Sequence, residues 1–470
     1  MLVNMEQTSK FLERVLSQAP LRSTLNSGTV NMGYYETSFY SLLALCAGLL
    51  ASQPTRRNEL KKLADSRKQV SRDDEHPEAN WYKVYALVMG ADWLQGPYLY
   101  SLYRDEHGVS ERLVSTLFAT GFLSSAISAY FIGALADRHG RKAICMAFCL
   151  LYAMSCFFTV IPSIGFLFLG RILGGISTSI LFSVFDSWMV TNFRERKLVE
   201  NGCDLSRTYA TTSIVNSLSA IVSGVVSEWL VRVTGTKKAP FLLSSVLLWL
   251  ALQRIWAHWK QVENFGTKDS EPSDKSKASR LWSTLKQPSI LALGFASTMF
   301  EGSMYLFVFF WTPTIKSVQK STEELPYGYI FSSFMASSMA AALIFNIVMQ
   351  KRPFKYSRLL VGILLAANFC FVKLAGPKTE DATFWLFCLF EACVGMYWPC
   401  TGYLKGRLVD DDVRAKVYSI LRIPLNVFVV VALSVAGDSQ HFGKVFSTCS
   451  VLLTASFGAI WAASLKESMP

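Results

Sequence analysis

Gly133-Ala134-Leu135-Ala136-Asp137-Arg138-His139-Gly140-Arg141-Lys142 is a short polar interruption between two apolar runs, near 112–135 and 143–161. Two membrane-length helices that turn back on each other need such a connection. It carries glycine where a tight bend needs one and cations where lipid headgroups begin. The same alternation recurs along the chain. Apolar runs near 82–103, 164–190, 209–231 and 240–259 complete a first set of six. Runs near 288–314, 327–349, 358–376, 382–403, 417–436 and 443–464 make a second six. Each is about long enough to cross a bilayer.

This pattern predicts an all-α polytopic membrane protein. Residues 81–259 are expected to form one six-helix bundle, 288–470 a second, and the polar stretch 260–287, with Pro272, a cytoplasmic linker. A thirteenth, weaker run at 35–52 carries Glu36. We read it as an extra membrane helix; a signal-peptide core or an interfacial helix are the alternatives. It sits within an N-terminal region, 1–80, that ends in a basic cytoplasmic loop, while residues 1–33 are polar and receive no assigned structure.

Composition agrees with this reading. Hydrophobic residues make up 51% of the 470, and charged residues only 17%, against about 25% in soluble domains. A disordered chain, a secreted disulfide scaffold and a typical cytosolic enzyme are excluded. The net charge of +12 invites a nucleic-acid partner, but basic residues of membrane proteins collect in cytoplasmic loops. With 52–80 placed inside, the loops on that side and the C-terminus hold 29 Lys and Arg, against ten on the other. The charge is therefore a topology signal: the bilayer is the expected partner and nucleic acid is not. Nine of ten cysteines lie in apolar runs, with Cys203 in a loop, so they read as small apolar filler. No metal or cofactor is expected. The five histidines sit in loops or at span ends, and there is no G-x-S-x-G elbow, H-E-x-x-H pair or P-loop. An enzyme is not expected.

The Gly133–Lys142 stretch resembles the G-x-L-a-D-R-x-G-R-K loop signature of the major facilitator superfamily, at the place that signature occupies in a six-plus-six chain. Gly170-Arg171-Ile172-Leu173-Gly174-Gly175 resembles the R-x-x-x-G element of the fourth helix. The resemblance implies a gating loop. In it Asp137 would cap or pair with a helix terminus, Gly133 would permit close helix approach and Gly140 a tight turn. Arg138, Arg141 and Lys142 would stay among the headgroups. A narrower resemblance, to the molybdate-anion transporter branch, lies in Ala91–Tyr100, Phe300-Glu301, Phe307–Pro313 and Ile330–Ala336. It implies import of a small oxyanion, molybdate, through the plasma membrane by alternating access. A proton-coupled exporter of organic solutes and a non-transporting receptor stay open as alternatives.

Charges at bilayer depth are expensive, so each is a functional candidate: Asp92, Arg171, Asp186, Glu301, Glu391 and Arg422. At ~1.5 Å rise per residue, Asp92 and Arg171 lie about 15 and 19 Å from the cytoplasmic boundary, close enough in depth to pair. Glu301 and Glu391 share a layer at about 20 and 17 Å, and Arg422 sits at roughly 8 Å. Their sum of −2 is a poor well for a dianion. Three resolutions are open: carboxylates held protonated by burial, carboxylates locked to an arginine, or protons travelling with the anion. The favoured expectation is the third, with Arg171 and Arg422 binding the anion while Glu301 and Glu391 titrate. Asp92 and Asp186 are read as coupling or ion-pair residues. Tyr98, Ser177, Thr178, Ser332 and Ser333 would complete the anion's shell.

Overall fold

In the computed structural model, residues 33–52, 79–195, 205–259, 274–321, 324–351, 355–376, 379–409, 414–435 and 442–465 are described. They are helical, with no strand among them. The helices are α1 Tyr34–Ala51, α2 Ala79–Gln95, α3 Glu111–His139, α4 Arg141–Val160, α5 Ile164–Leu181, α6 Val184–Glu195, α7 Leu205–Thr234 and α8 Ala239–His258. They continue as α9 Asp274–Leu285, α10 Pro288–Val318, α11 Tyr327–Lys351, α12 Tyr356–Ala375, α13 Glu380–Leu408, α14 Arg414–Val435 and α15 Phe442–Leu465. Ten of the described helical segments are long and apolar enough to cross a membrane. Their outward faces are large and apolar: Tyr130, Phe157, Trp249, Val372 and Val451 are exposed, which suits a lipid surroundings rather than water.

Two expected spans are interrupted. The run 82–103 is not one helix: α2 stops at Gln95, and the chain resumes as a single turn at Leu99–Ser101 and a π-helical turn at Leu102–Glu106. Pro97 has no N–H to continue the ladder. Gly96 and Tyr98 instead form tight turns back to Trp93 and Gln95. The run 164–190 likewise breaks at Phe182 and Ser183, and α6 begins with Asp186 in its first turn. Within 260–287, the described part is helical, as α9.

Packing within the first half runs α2–α8, α4–α8, α4–α5 and α3–α5, and within the second α11–α13, α12–α13, α12–α15 and α10–α15. The halves meet along two seams, α7 against α11 and α3 against α14. Glycine makes the tightest crossings: a Cβ at Gly175 would strike the Gly121 carbonyl, and one at Gly395 the Ser338 carbonyl. Helix association in lipid depends on such close approach, because tails are as apolar as the side chains. Helix α1 packs along α11.

Candidate functional site

The Gly133–Lys142 loop closes the α3–α4 hairpin. Gly140 has φ +90° and ψ 138°, a region that only glycine enters readily, so its expected turn is present. Gly133 is a correction: a Cβ there would meet nothing within 4 Å, because it lies on an exposed face of α3 rather than against a helix. Asp137 faces Arg141 one turn on, at 3.6 Å. Arg141 also donates to the Ser187 carbonyl at 3.2 Å and to the Thr191 hydroxyl. Lys142 Nζ donates to the Trp256 carbonyl at 3.0 Å, at the C-terminal end of α8 where a cation is favoured. The loop thereby stitches α4 to α6 and α8. Arg138 is exposed.

Deeper in the membrane, Asp92 and Arg171 do not pair. Asp92 accepts the Tyr152 hydroxyl at 2.5 Å. Arg171 donates from Nε to the Leu117 carbonyl at 3.3 Å, and its guanidinium lies over the Phe118 ring, 5.0 Å from the centroid. Depth along an axis says nothing about azimuth: no ion pair joins the two, although both lie near Tyr152. A Cβ at Gly121 would come within 2.6 Å of Arg171, so this glycine opens the space the guanidinium occupies. One residue beyond, Phe122 meets Tyr305 of α10 edge to face at 4.8 Å. Tyr305 in turn neighbours both Arg422 and Glu301. The Phe122–Tyr305 contact thus lies between the halves, with Arg171 beside the neighbouring Gly121 on one side and Arg422 near Tyr305 on the other. Neither arginine forms an ion pair with a carboxylate among the described residues.

Glu301, 5% exposed, accepts the Tyr397 hydroxyl at 2.8 Å and faces Lys405 Nζ at 3.4 Å. Tyr397 is held by stacking on Phe300, with centroids 4.1 Å apart. Lys405 was not among the sequence candidates, because it sits in the polar last turn of α13 and reads there as a boundary cation. Its four-carbon stem carries the charge inward. Glu391 is equally buried but forms no hydrogen bond or ion pair among the described residues. It shares a face of α13 with Gly395, which packs on α11, so Glu301 and Glu391 serve different surroundings.

Other candidates are placed elsewhere. Asp186 is exposed at the start of α6, not buried in a continuous fourth span. The Ser177, Thr178 and Ser333 hydroxyls donate to carbonyls one turn back in their own helices, at 2.8, 2.9 and 2.8 Å. Serine and threonine in helices commonly satisfy themselves this way. Ser332 donates across the seam to the Ile221 carbonyl at 2.9 Å. Tyr98 donates to Glu228 at 2.6 Å. None of these five is brought to the arginines. Glu228, 5% exposed, is a buried carboxylate that sequence reasoning missed, because it lies near the polar end of its span.

These features define a multi-pass integral membrane transporter with two helical halves joined by seams. Solved structures share the fold: the peptide transporter POT in complex with sulfate (TM-score 0.65, 13% identical, covering 85% of this chain and 96% of that one) and the nucleoside transporter NupG (0.64, 13%, 82% and 99%). A family model described as sugar transporters with 12 TM segments matches residues 34–379. The molybdate-anion transporter of Xenopus tropicalis is 30% identical over 384 residues, covering 80% of this chain and 82% of that one. That of Takifugu rubripes is 29% identical over 465 residues, covering 89% and 93%. The chain belongs to the molybdate-anion transporter family of the major facilitator superfamily.

Proposed function

We propose that this transporter imports molybdate across the plasma membrane by alternating access, with protons moving alongside the anion. The observation that carries the reading is that Arg171 and Arg422, one from each half, flank the Phe122–Tyr305 contact with no carboxylate partner among the described residues. A tetrahedral oxyanion between them would receive charge-assisted hydrogen bonds from two planar forks. The Phe118 ring beneath Arg171 favours its cation at little cost in side-chain freedom. The names of the relatives supply the substrate class.

The Glu301–Lys405 pair supplies a route for coupling. While Glu301 is ionised, Lys405 is held at its oxygen. A proton on Glu301 removes that attraction and leaves the ammonium as a further positive charge near the anion. The negative sum of the core is then corrected by protons that travel with the substrate. Glu391, buried without a partner among the described residues, is a second group able to take a proton. Glu301 is engaged by Tyr397 and Lys405, so it offers an organic cation no free carboxylate.

Uptake of labelled molybdate in cells lacking their own importer tests the reading, with tungstate and sulfate as competitors. Competition by tungstate but not sulfate is expected. Absence of anion flux together with proton-driven dye efflux would overturn it in favour of the exporter, and no flux of any kind in favour of a receptor. Glu301→Gln is expected to transport with its pH dependence flattened; full retention of that dependence would remove Glu301 from coupling.

A further inference from the structure

Helix α1 lies over the α7–α11 seam. Phe39 and Cys46 of α1 pack with Ile221 of α7 and with Tyr329, Ala336 and Ala340 of α11 in one buried apolar cluster. Polar contacts fasten α1 to both halves. Toward the second half, the Tyr35 hydroxyl donates to Glu380 at 2.8 Å and the Cys46 thiol to the Ala336 carbonyl at 3.2 Å. Toward the first, Glu36 pairs with Arg232 of α7 at 3.0 Å.

Arg232 leads directly into the seam. Its Nε donates to Glu228 Oε1 at 2.9 Å, and its guanidinium stands 5.3 Å from the Tyr329 ring centroid across the seam. Glu228 Oε2 accepts the Tyr98 hydroxyl at 2.6 Å and the Gly328 backbone N–H at 2.9 Å. Gly328 is in the first turn of α11, so a carboxylate of one half caps the positive helix end of the other. The approach is as close as backbone permits: a Cβ at Gly328 would strike the Gly224 carbonyl and come within 2.6 Å of the Glu228 side chain. At the same end of the molecule Lys316 meets Asp105 at 2.7 Å, and Lys237 meets Glu324 at 2.6 Å, both between halves.

We propose that Glu228 is the latch that keeps this end of the transporter shut, and that α1 is a strap across it, tensioned by the Glu36–Arg232 pair. The halves cannot separate along α7–α11 unless the Gly328 amide leaves Glu228, and α1 must then release either Arg232 or the α11 surface. By the charge bias, this end faces away from the cytoplasm. Glu228 is a positioning residue for the transport cycle and has no contact with the arginine pair.

The test needs no substrate, so its failure is separable from failure of the molybdate reading. Spin labels at Lys238→Cys and Lys320→Cys, one on each half at this end, report their separation by pulsed dipolar spectroscopy on the full-length protein in nanodiscs. Glu228→Gln is expected to raise the ratio of long to short separations by about tenfold, the scale of losing a hydrogen-bonded charge. Glu36→Gln, at a partly exposed pair, is expected to raise it roughly two- to fivefold. If Glu228→Gln does not accumulate as folded protein, Tyr98→Phe removes one donor to the same oxygen and is expected to shift the ratio in the same direction. Unchanged distributions in Glu36→Gln and in whichever latch variant folds would overturn the proposal. A shift in Glu228→Gln with none in Glu36→Gln would overturn the strap.

Discussion

Lys405 Nζ reaches from α13 to stand 3.4 Å from Glu301 Oε1 on α10, at the oxygen that also accepts the Tyr397 hydroxyl. A cation from the polar end of one helix thus neutralises a carboxylate buried in the middle of another. Taking a carboxylate out of water is costly unless it is paired and hydrogen-bonded, and here both conditions are met by a single helix.

Lys405→Met is therefore expected to leave Glu301 without its counter-charge. Lys405 keeps 21% side-chain exposure, so the cost is set below that of a fully buried pair, at about 1–2 kcal/mol. Thermal denaturation of the solubilised protein should show a lowered midpoint. Adding Glu301→Gln to that variant should restore stability while leaving molybdate uptake insensitive to pH. A single variant as stable as the parent would show that the pair carries no structural weight.

At the proposed anion site, Arg171→Lys keeps the charge but loses the planar fork. Uptake at low molybdate is expected to fall about tenfold, mainly through a higher KM, since one charge-assisted hydrogen bond is worth roughly that factor. Arg422→Ala should show the same direction with a larger loss. Initial-rate uptake normalised to the amount of protein in the membrane measures both, and unchanged kinetics would remove the residue concerned from the site.

Two glycines of one loop should separate cleanly. Gly140→Ala forces a side chain into a positive-φ conformation and is expected to destabilise by about 1–3 kcal/mol. Gly133→Ala adds a methyl to open space and should be neutral or slightly stabilising, since alanine favours the helix. Melting curves of the two purified variants check the contrast; equal effects would contradict it.

Gly175→Ala would drive a Cβ into the Gly121 carbonyl and within 2.9 Å of the Ser125 amide nitrogen. Backbone cannot step aside as a flexible side chain does, so α3 and α5 must part. A loss of about 1–3 kcal/mol is expected, with anion uptake reduced as well, because Gly121 and Phe118 of α3 set the place of Arg171. Monodispersity on size exclusion and uptake of the variant measure the two effects.

The helices were legible in the sequence because hydrocarbon thickness imposes a minimum apolar length on every span. Gly140 was legible too, since a tight turn between two long helices demands a residue free in φ. Interruptions were partly readable: Gly96-Pro97 marks the break in the first span, while Phe182-Ser183 carries no comparable signal. Pairing was not readable. Depth counted along helix axes placed Asp92 beside Arg171 and hid Lys405 and Glu228. A side chain several ångströms long, and the rotation of a helix about its own axis, decide which charges meet.

By itself, then, the sequence determined that this is a helical membrane protein of six-plus-six design, with a small number of charges at bilayer depth. It named arginines from both halves, and a glutamate that does lie among buried partners. Only the tertiary structure decided that Phe122 meets Tyr305 between the halves, and that Ser332, Tyr98 and Glu228 form hydrogen bonds at the α7–α11 seam. It also made the extra helix a cover for that seam. The physical reason is that bilayer thickness acts on each segment locally, whereas hydrogen-bond partners in lipid are chosen between segments far apart in the chain.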